Sequence, residues 1–274
     1  MQHRSAKISV PELQRLKVSG QKITALTAYD YPFARILDNC GIDFILVGDS
    51  LGTVVQGADT TLPVSMDEMV YHIHLVTKAR PRALVVGDMP FLSYQVGICD
   101  AIANAGRLLK EGGAEAVKLE GGVNAARVIK AIVNVDIPVM DHIGLTPQSV
   151  HRMGGYKVQG KKSGRQPGAR ERLIEDAEAV VNAGAFAVVL EGVPLDLAAE
   201  VTKVLPIPTI GIGAGPHCDG QILVMHDLLG LSGDFTPKFV KRYANLEQTI
   251  SDAVSAYISD VRDEAFPQDE HSFH

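Results

Sequence analysis

The feature that most constrains this chain is an alternation. Short apolar, β-branched runs recur between longer segments of helical periodicity, the pattern of repeated βαβ units around a parallel sheet. Eight runs read as strands: Lys22–Ala28, Phe44–Gly48, Ala83–Gly87, Ala116–Leu119, Pro138–Asp141, Ala187–Leu190, Pro208–Ile212 and Ile222–Met225. Eight parallel strands close into a barrel, so the expected fold class is α/β, a single (β/α)8 TIM barrel. The helices carry their own punctuation. Ser65-Met-Asp-Glu precedes a run with Met69, Ile73 and Val76, a cap followed by acidic first-turn residues. Glycines in Cys40-Gly-Ile, Gly112-Gly-Ala and Ala183-Gly-Ala stand just past a helix and before a strand, where a left-handed residue is wanted.

The 274 residues are 46% hydrophobic and 21% charged, enough apolar content for one large core. With no Pro/Gly/Ser linker between apolar blocks, one domain over 1–274 is expected. Residues 1–20 form an N-terminal extension in which Pro11–Val18 reads as a short helix covering the barrel bottom. Tyr243–Arg262 reads as a further helix, followed by a polar tail, 263–274, available to a neighbouring subunit. A net charge of -6 leaves no electrostatic footprint for nucleic acid. Three widely spaced cysteines without a C-x-x-C pair argue against a disulfide framework or zinc knuckle and fit a reducing cytoplasm. No apolar stretch approaches the ~20 residues of a membrane span, so no membrane partner is expected.

The longest irregular connection, Gly144–Arg170, follows the fifth strand and so rises from the catalytic end. Gly154, Gly155, Gly160, Gly164 and Gly168, with Lys157, Lys161, Lys162 and Arg165, make it glycine-rich and basic: a lid or anion-contacting flap, or simply a mobile insertion.

Polar residues interrupt the apolar runs at strand C-terminal ends: Thr27, Asp49, Asp88, Lys118, Glu120, His142 and Glu191. Barrel active sites are assembled at that end from several strands. Asp49, Asp88 and Glu120, from the second, third and fourth strands, are expected to converge. Their mutual repulsion calls for a cation, and oxygen-only ligation favours Mg²⁺ over zinc. The alternative is that each acid pairs with a base or caps a helix. Lys118 and Glu120, two apart on one strand, share a face. A Schiff-base role for Lys118 needs a depressed amine, whereas an adjacent acid keeps it charged and suits it to hold a carboxylate or a developing enolate; a lysine reaching outward is the remaining option. His142 is a candidate donor into the pocket or a core histidine satisfied by backbone. Glu191, across the barrel from the three acids, is a candidate general base or half of a structural ion pair. Gly211-Ile-Gly-Ala-Gly215 lacks the spacing of a dinucleotide fingerprint and reads as a tight turn. His72 and His74, two apart on a helix, do not share a face.

Several segments resemble the ketopantoate hydroxymethyltransferase family. They are Thr27-Ala-Tyr-Asp30, Leu46-Val-Gly-Asp-Ser-Leu-Gly52, Gly87-Asp-Met-Pro-Phe91, Val117-Lys-Leu-Glu-Gly-Gly122, His142-Ile-Gly-Leu-Thr-Pro-Gln148, Gly154-Gly-Tyr-Lys-Val-Gln-Gly160 and Asp219-Gly-Gln-Ile-Leu-Val-Met-His-Asp227. Asp141 and Gly192, beside His142 and Glu191, are mild departures. The resemblance implies Asp49, Asp88 and Glu120 as Mg²⁺-associated acids, with Glu120 direct or through water. Asp49, Ser50, Asp88, Lys118 and His142 would form the substrate-binding set, with Glu191 the proton acceptor. It implies transfer of a hydroxymethyl group from 5,10-methylenetetrahydrofolate to 3-methyl-2-oxobutanoate, giving 2-dehydropantoate, in a cytoplasmic homo-oligomer such as a homodecamer. The 144–170 loop would shield the site or meet the folate tail. Two rival readings are a Mg-dependent lyase of the phosphoenolpyruvate mutase and isocitrate lyase type, and a non-catalytic barrel scaffold.

Overall fold

The computed structural model describes residues 6–155, 158–160, 168–233 and 236–274. Eight strands, β1 Ile23–Thr27, β2 Phe44–Val47, β3 Leu84–Asp88, β4 Ala116–Glu120, β5 Val139–Gly144, β6 Ala187–Glu191, β7 Thr209–Ile212 and β8 Gly220–Leu223, close a parallel barrel in sequence order, with β8 pairing β1. The expected (β/α)8 class is therefore the observed one. Strand ends differ from the expected ones by one to three residues. β5 runs through His142 to Gly144, because its last residues pair with β6. β8 starts and stops earlier than expected, and Met225 opens a helix. Residues 213–219 join β7 to β8 without a helix.

The helices of the barrel unit are α1 Val10–Val18, α2 Tyr31–Asn39, α3 Leu51–Val54, α4 Met66–Thr77, α5 Ile98–Lys110, α6 Ala126–Val133, α7 Val150–Met153, α8 Ala169–Asn182 and α9 Leu195–Val204. Ser65 caps α4 in a complete capping box with Glu68, satisfying donors that the first turn leaves open. The three helix-to-strand junctions adopt the left-handed conformation at Gly41, Gly113 and Gly184, with φ of 89, 84 and 95°.

Inward residues of the strands, among them Phe44, Leu46, Leu84, Val86, Met140, Val189, Ile210 and Ile222, form one cluster that also includes Leu13 and Leu16 of α1. The N-terminal helix thus plugs the barrel bottom as the sequence suggested, each leucine contributing about 1.5–3 kcal/mol by burial. Because this end is filled by hydrocarbon, the inward alternation puts the next polar layer at the opposite mouth.

Two compact units emerge, Met1–Val224 with the barrel and Met225–His274. The second holds α10 Met225–Leu229 and α11 Leu246–Arg262, the latter three residues shorter at its start than the expected helix and capped by Asn245. Among the described residues no helix is long and apolar enough to cross a membrane.

Candidate active site

Alternation along the strands carries Asp88, Lys118, Glu120, His142 and Glu191 into the C-terminal mouth of the barrel, while Asp49 sits just past β2. Asp88, Lys118, Glu120 and His142 are 1, 4, 6 and 3% exposed, so their charges act on one another through little water. Lys118 Nζ donates to both Asp88 oxygens at 2.9 Å and lies 3.8 Å from Glu120 Oε1. Burial alone would depress this amine; the carboxylates of Asp88, Glu120 and Asp49 outweigh it and raise its pKa. Lys118 is therefore an ammonium, which removes the Schiff-base option, and it points inward.

His142 stands between two acids, with Nδ1 3.3 Å from Glu120 Oε1 and Nε2 3.3 Å from Glu191 Oε2. Neither contact has hydrogen-bond alignment, so both are ion-pair contacts. Burial and Lys118 push the imidazole down, yet the two carboxylates prevail and raise it to about 9. The ring is thus an imidazolium at neutral pH, which neither sequence option anticipated. Glu120 is pushed up by burial but brought below the usual range by His142 and Lys118. Asp49 and Asp88 both rise, first by burial and then by neighbouring negative charge, Asp49 well above the carboxylate range.

The three expected acids do come together, though around a lysine. Asp49 N–H donates to Asp88 Oδ2 at 3.2 Å, and Lys118 lies between Asp88 and Glu120. Among the described residues no group of three His, Cys, Asp or Glu side chains forms a ready cage for an ion. The donor chemistry still suits a hard cation. Four carboxylates, Asp49, Asp88, Glu120 and Glu191, face two cations, Lys118 and His142, and the buried Glu120 Oε1 has no hydrogen-bond donor. Magnesium usually takes only one or two protein carboxylates and completes its shell with water and substrate oxygens, so it needs no three-residue cage. Ser50 precedes α3, its Oγ hydrogen-bonded to Tyr29 Oη at 2.8 Å.

Two residues absent from the predicted set sit among these groups. Gln148, in the 3-10 turn Pro147–Ser149, donates from its backbone to Glu120 Oε2 and from its side chain to Asp49 Oδ2. Tyr94, from the β3–α5 connection, donates to Gln148 Oε1 at 2.7 Å. Gln148 closes the segment His142–Gln148 and was legible there as part of a block; Tyr94 lies in an aperiodic stretch with no local signal. Asp141 faces outward from β5, fully buried, with Oδ2 accepting from Gly122 N–H at 3.1 Å, and burial pushes its carboxyl up to about 8. It thereby pins the turn that follows Glu120. Of the expected irregular loop, residues 147–153 are helical; Lys157, Lys161, Lys162, Gly164 and Arg165, on which the flap rested, lie outside the described residues.

The family model described as ketopantoate hydroxymethyltransferase matches residues 7–269. The chain belongs to the ketopantoate hydroxymethyltransferase family. Proteins named 3-methyl-2-oxobutanoate hydroxymethyltransferase from Geobacter sulfurreducens and Geobacter metallireducens are 64% and 62% identical to it, each over 97% of this chain and 98% of theirs. A solved 2,3-dimethylmalate lyase of the PEP mutase/isocitrate lyase superfamily aligns at a TM-score of 0.61 and 18% identity, covering 96% of this chain and 91% of that one. Phosphonopyruvate hydrolase in complex with oxalate and Mg²⁺ aligns at 0.61 and 13% identity over 96% and 92%. That likeness shows the shared barrel alone. Membership of the hydroxymethyltransferase family decides for the transferase and against both the lyase and the non-catalytic scaffold, and the chain is an enzyme of pantothenate synthesis.

Proposed function

We propose that this enzyme transfers a hydroxymethyl group from 5,10-methylenetetrahydrofolate to 3-methyl-2-oxobutanoate, giving 2-dehydropantoate, at the C-terminal mouth of the barrel. The observation that carries the reading is the chain of alternating charge Glu191–His142–Glu120–Lys118–Asp88 in a member of this family. Asp49 and Asp88 would hold a Mg²⁺ ion, with Glu120 direct or through water. When bound, that ion would supply Lewis-acid charge that acidifies the C3 proton of the keto acid.

The chain's own residues then divide the work. Glu191 accepts the C3 proton, and the adjacent His142 imidazolium holds its carboxylate in place. Lys118, fixed by two hydrogen bonds to Asp88, presents a permanent positive charge to the enolate oxygen. Ser50 and His142 orient the keto acid. Attack of the enolate C3 on the folate methylene carbon breaks one of its two C–N bonds, and water then displaces the second nitrogen to supply the hydroxyl. The proton taken from C3 and one from water end on the two freed nitrogens of tetrahydrofolate. Enzyme, keto acid and folate donor meet in a cytoplasmic homo-oligomer, as the family resemblance implies; light scattering tests the assembly.

NMR of 3-methyl-2-oxobutanoate in D₂O with enzyme and Mg²⁺, without folate, tests the proton step. C3 deuteration is expected with the wild type, none with Glu191→Gln, and none after EDTA. Exchange by Glu191→Gln at the wild-type rate sinks the assignment of the base. Absence of 2-dehydropantoate when methylenetetrahydrofolate is added sinks the donor.

A further inference from the structure

We propose that Gln148 is a positioning residue that clamps Asp49 and Glu120 in fixed orientations, and that Tyr94 sets the direction of its amide. This rests on the cation site proposed above. The turn at Pro147–Ser149 brings Gln148, 6% exposed, between the two acids. Its backbone N–H donates to Glu120 Oε2 at 3.1 Å. Its Nε2 donates to Asp49 Oδ2 at 2.9 Å and to the Met89 carbonyl at 3.0 Å. Its Oε1 accepts from Tyr94 Oη–H at 2.7 Å.

Hydrogen-bond polarity fixes this arrangement. A carbonyl only accepts, so Met89 O must face the amide NH₂, and the amide oxygen must then face Tyr94. Tyr94 Oη accepts the backbone N–H of Glu120 at 3.1 Å; its own proton has two acceptors in reach, Gln148 Oε1 at 2.7 Å and the Glu120 carbonyl at 3.1 Å, and the shorter contact is the one to Gln148. The consequence for Glu120 is a division of labour: Oε2 is tied to Gln148, while Oε1 is turned toward Lys118 and His142. With Glu120 held by the backbone N–H and Asp49 by the side-chain amide, this one residue sets the relative orientation of a carboxylate from β4 and one from just past β2. Groups that orient metal-associated ligands typically control about 10–100-fold of affinity.

The test measures Mn²⁺ binding to the full-length protein by EPR, without substrate, for Gln148→Met, Tyr94→Phe, the double variant and Asp49→Asn, alongside thermal unfolding. Gln148→Met is expected to weaken Mn²⁺ by about 10–100-fold. Tyr94→Phe, which removes one oxygen and keeps the ring, is expected to weaken it by a smaller factor at an unchanged melting temperature, and it reads the same clamp if Gln148→Met does not fold. Because Tyr94 acts through the amide, its effect is expected to vanish in the Gln148→Met background. Mn²⁺ binding within twofold of wild type in both single variants overturns the proposal, as does a full Tyr94→Phe effect in the double variant. Wild-type affinity in Asp49→Asn instead overturns the cation site.

Discussion

At the N-terminal end of the barrel the charged groups are closed by matching partners, whereas at the C-terminal end buried charges are held against one another with groups left over. Below, Asp219 Oδ2 accepts from Thr209 N and Oγ1 at 2.9 and 3.0 Å and pairs with Lys17 at 2.7 Å. Asp43 Oδ2 accepts from Thr24 N and Oγ1 at 2.8 and 2.9 Å. Lys7 donates to the carbonyls of Pro81 and Ala83. Above, Glu120 Oε1 and both His142 nitrogens lack aligned hydrogen bonds, and Asp49 and Asp88 are pushed up by burial. A satisfied polar network rigidifies a fold; an incompletely satisfied one creates a strong local field, which suits chemistry on an anionic substrate. One barrel therefore has a closed polar network at one end and an open one at the other.

The largest effect expected is for Lys118→Met, which removes the fixed charge at the mouth: kcat/KM falls by about 10²–10³-fold in turnover assays, and a loss under tenfold breaks the contrast. Leu13→Ala unplugs the bottom and is expected to cost about 2–5 kcal/mol in urea unfolding while turnover per folded enzyme is unchanged. Asp219→Asn removes the charge partner of Lys17, leaving it only the Thr202 carbonyl, and loosens the β7–β8 start, costing about 1–3 kcal/mol, again without a change in kcat.

A further expected effect is a pH slope. His142 has a folded pKa of about 9, above the unfolded value, so its contribution is fully present below about 6.5 and lost as pH rises through 9. Asp141 has a folded carboxyl pKa of about 8, so folding favours the protonated form and stability falls as pH rises from about 4 to 8. Both signs agree: the melting temperature is expected to drop between pH 6 and 9, and Asp141→Asn to flatten part of that drop. A flat profile in the wild type would contradict the assignment of both groups as protonated at neutral pH.

Much of this was legible in the residues themselves. The eight-fold alternation gives the barrel because a period of two and a period of 3.6 bury different faces, and the same alternation puts Lys118 and Glu120 on one side of β4. The capping box at Ser65 and the glycines at 41, 113 and 184 are local devices, so a local reading finds them. What the sequence left open was pairing across distance. Whether Lys118 or a cation relieves the acids, which two carboxylates flank His142, and that Tyr94 and Gln148 join Glu120 to Asp49 all depend on residues brought together from β2 to β6 by closure of the sheet. Periodicity fixes which side of a strand a residue faces; only the closed barrel, with its register and its low-dielectric mouth, fixes which charges meet and therefore which protons they hold.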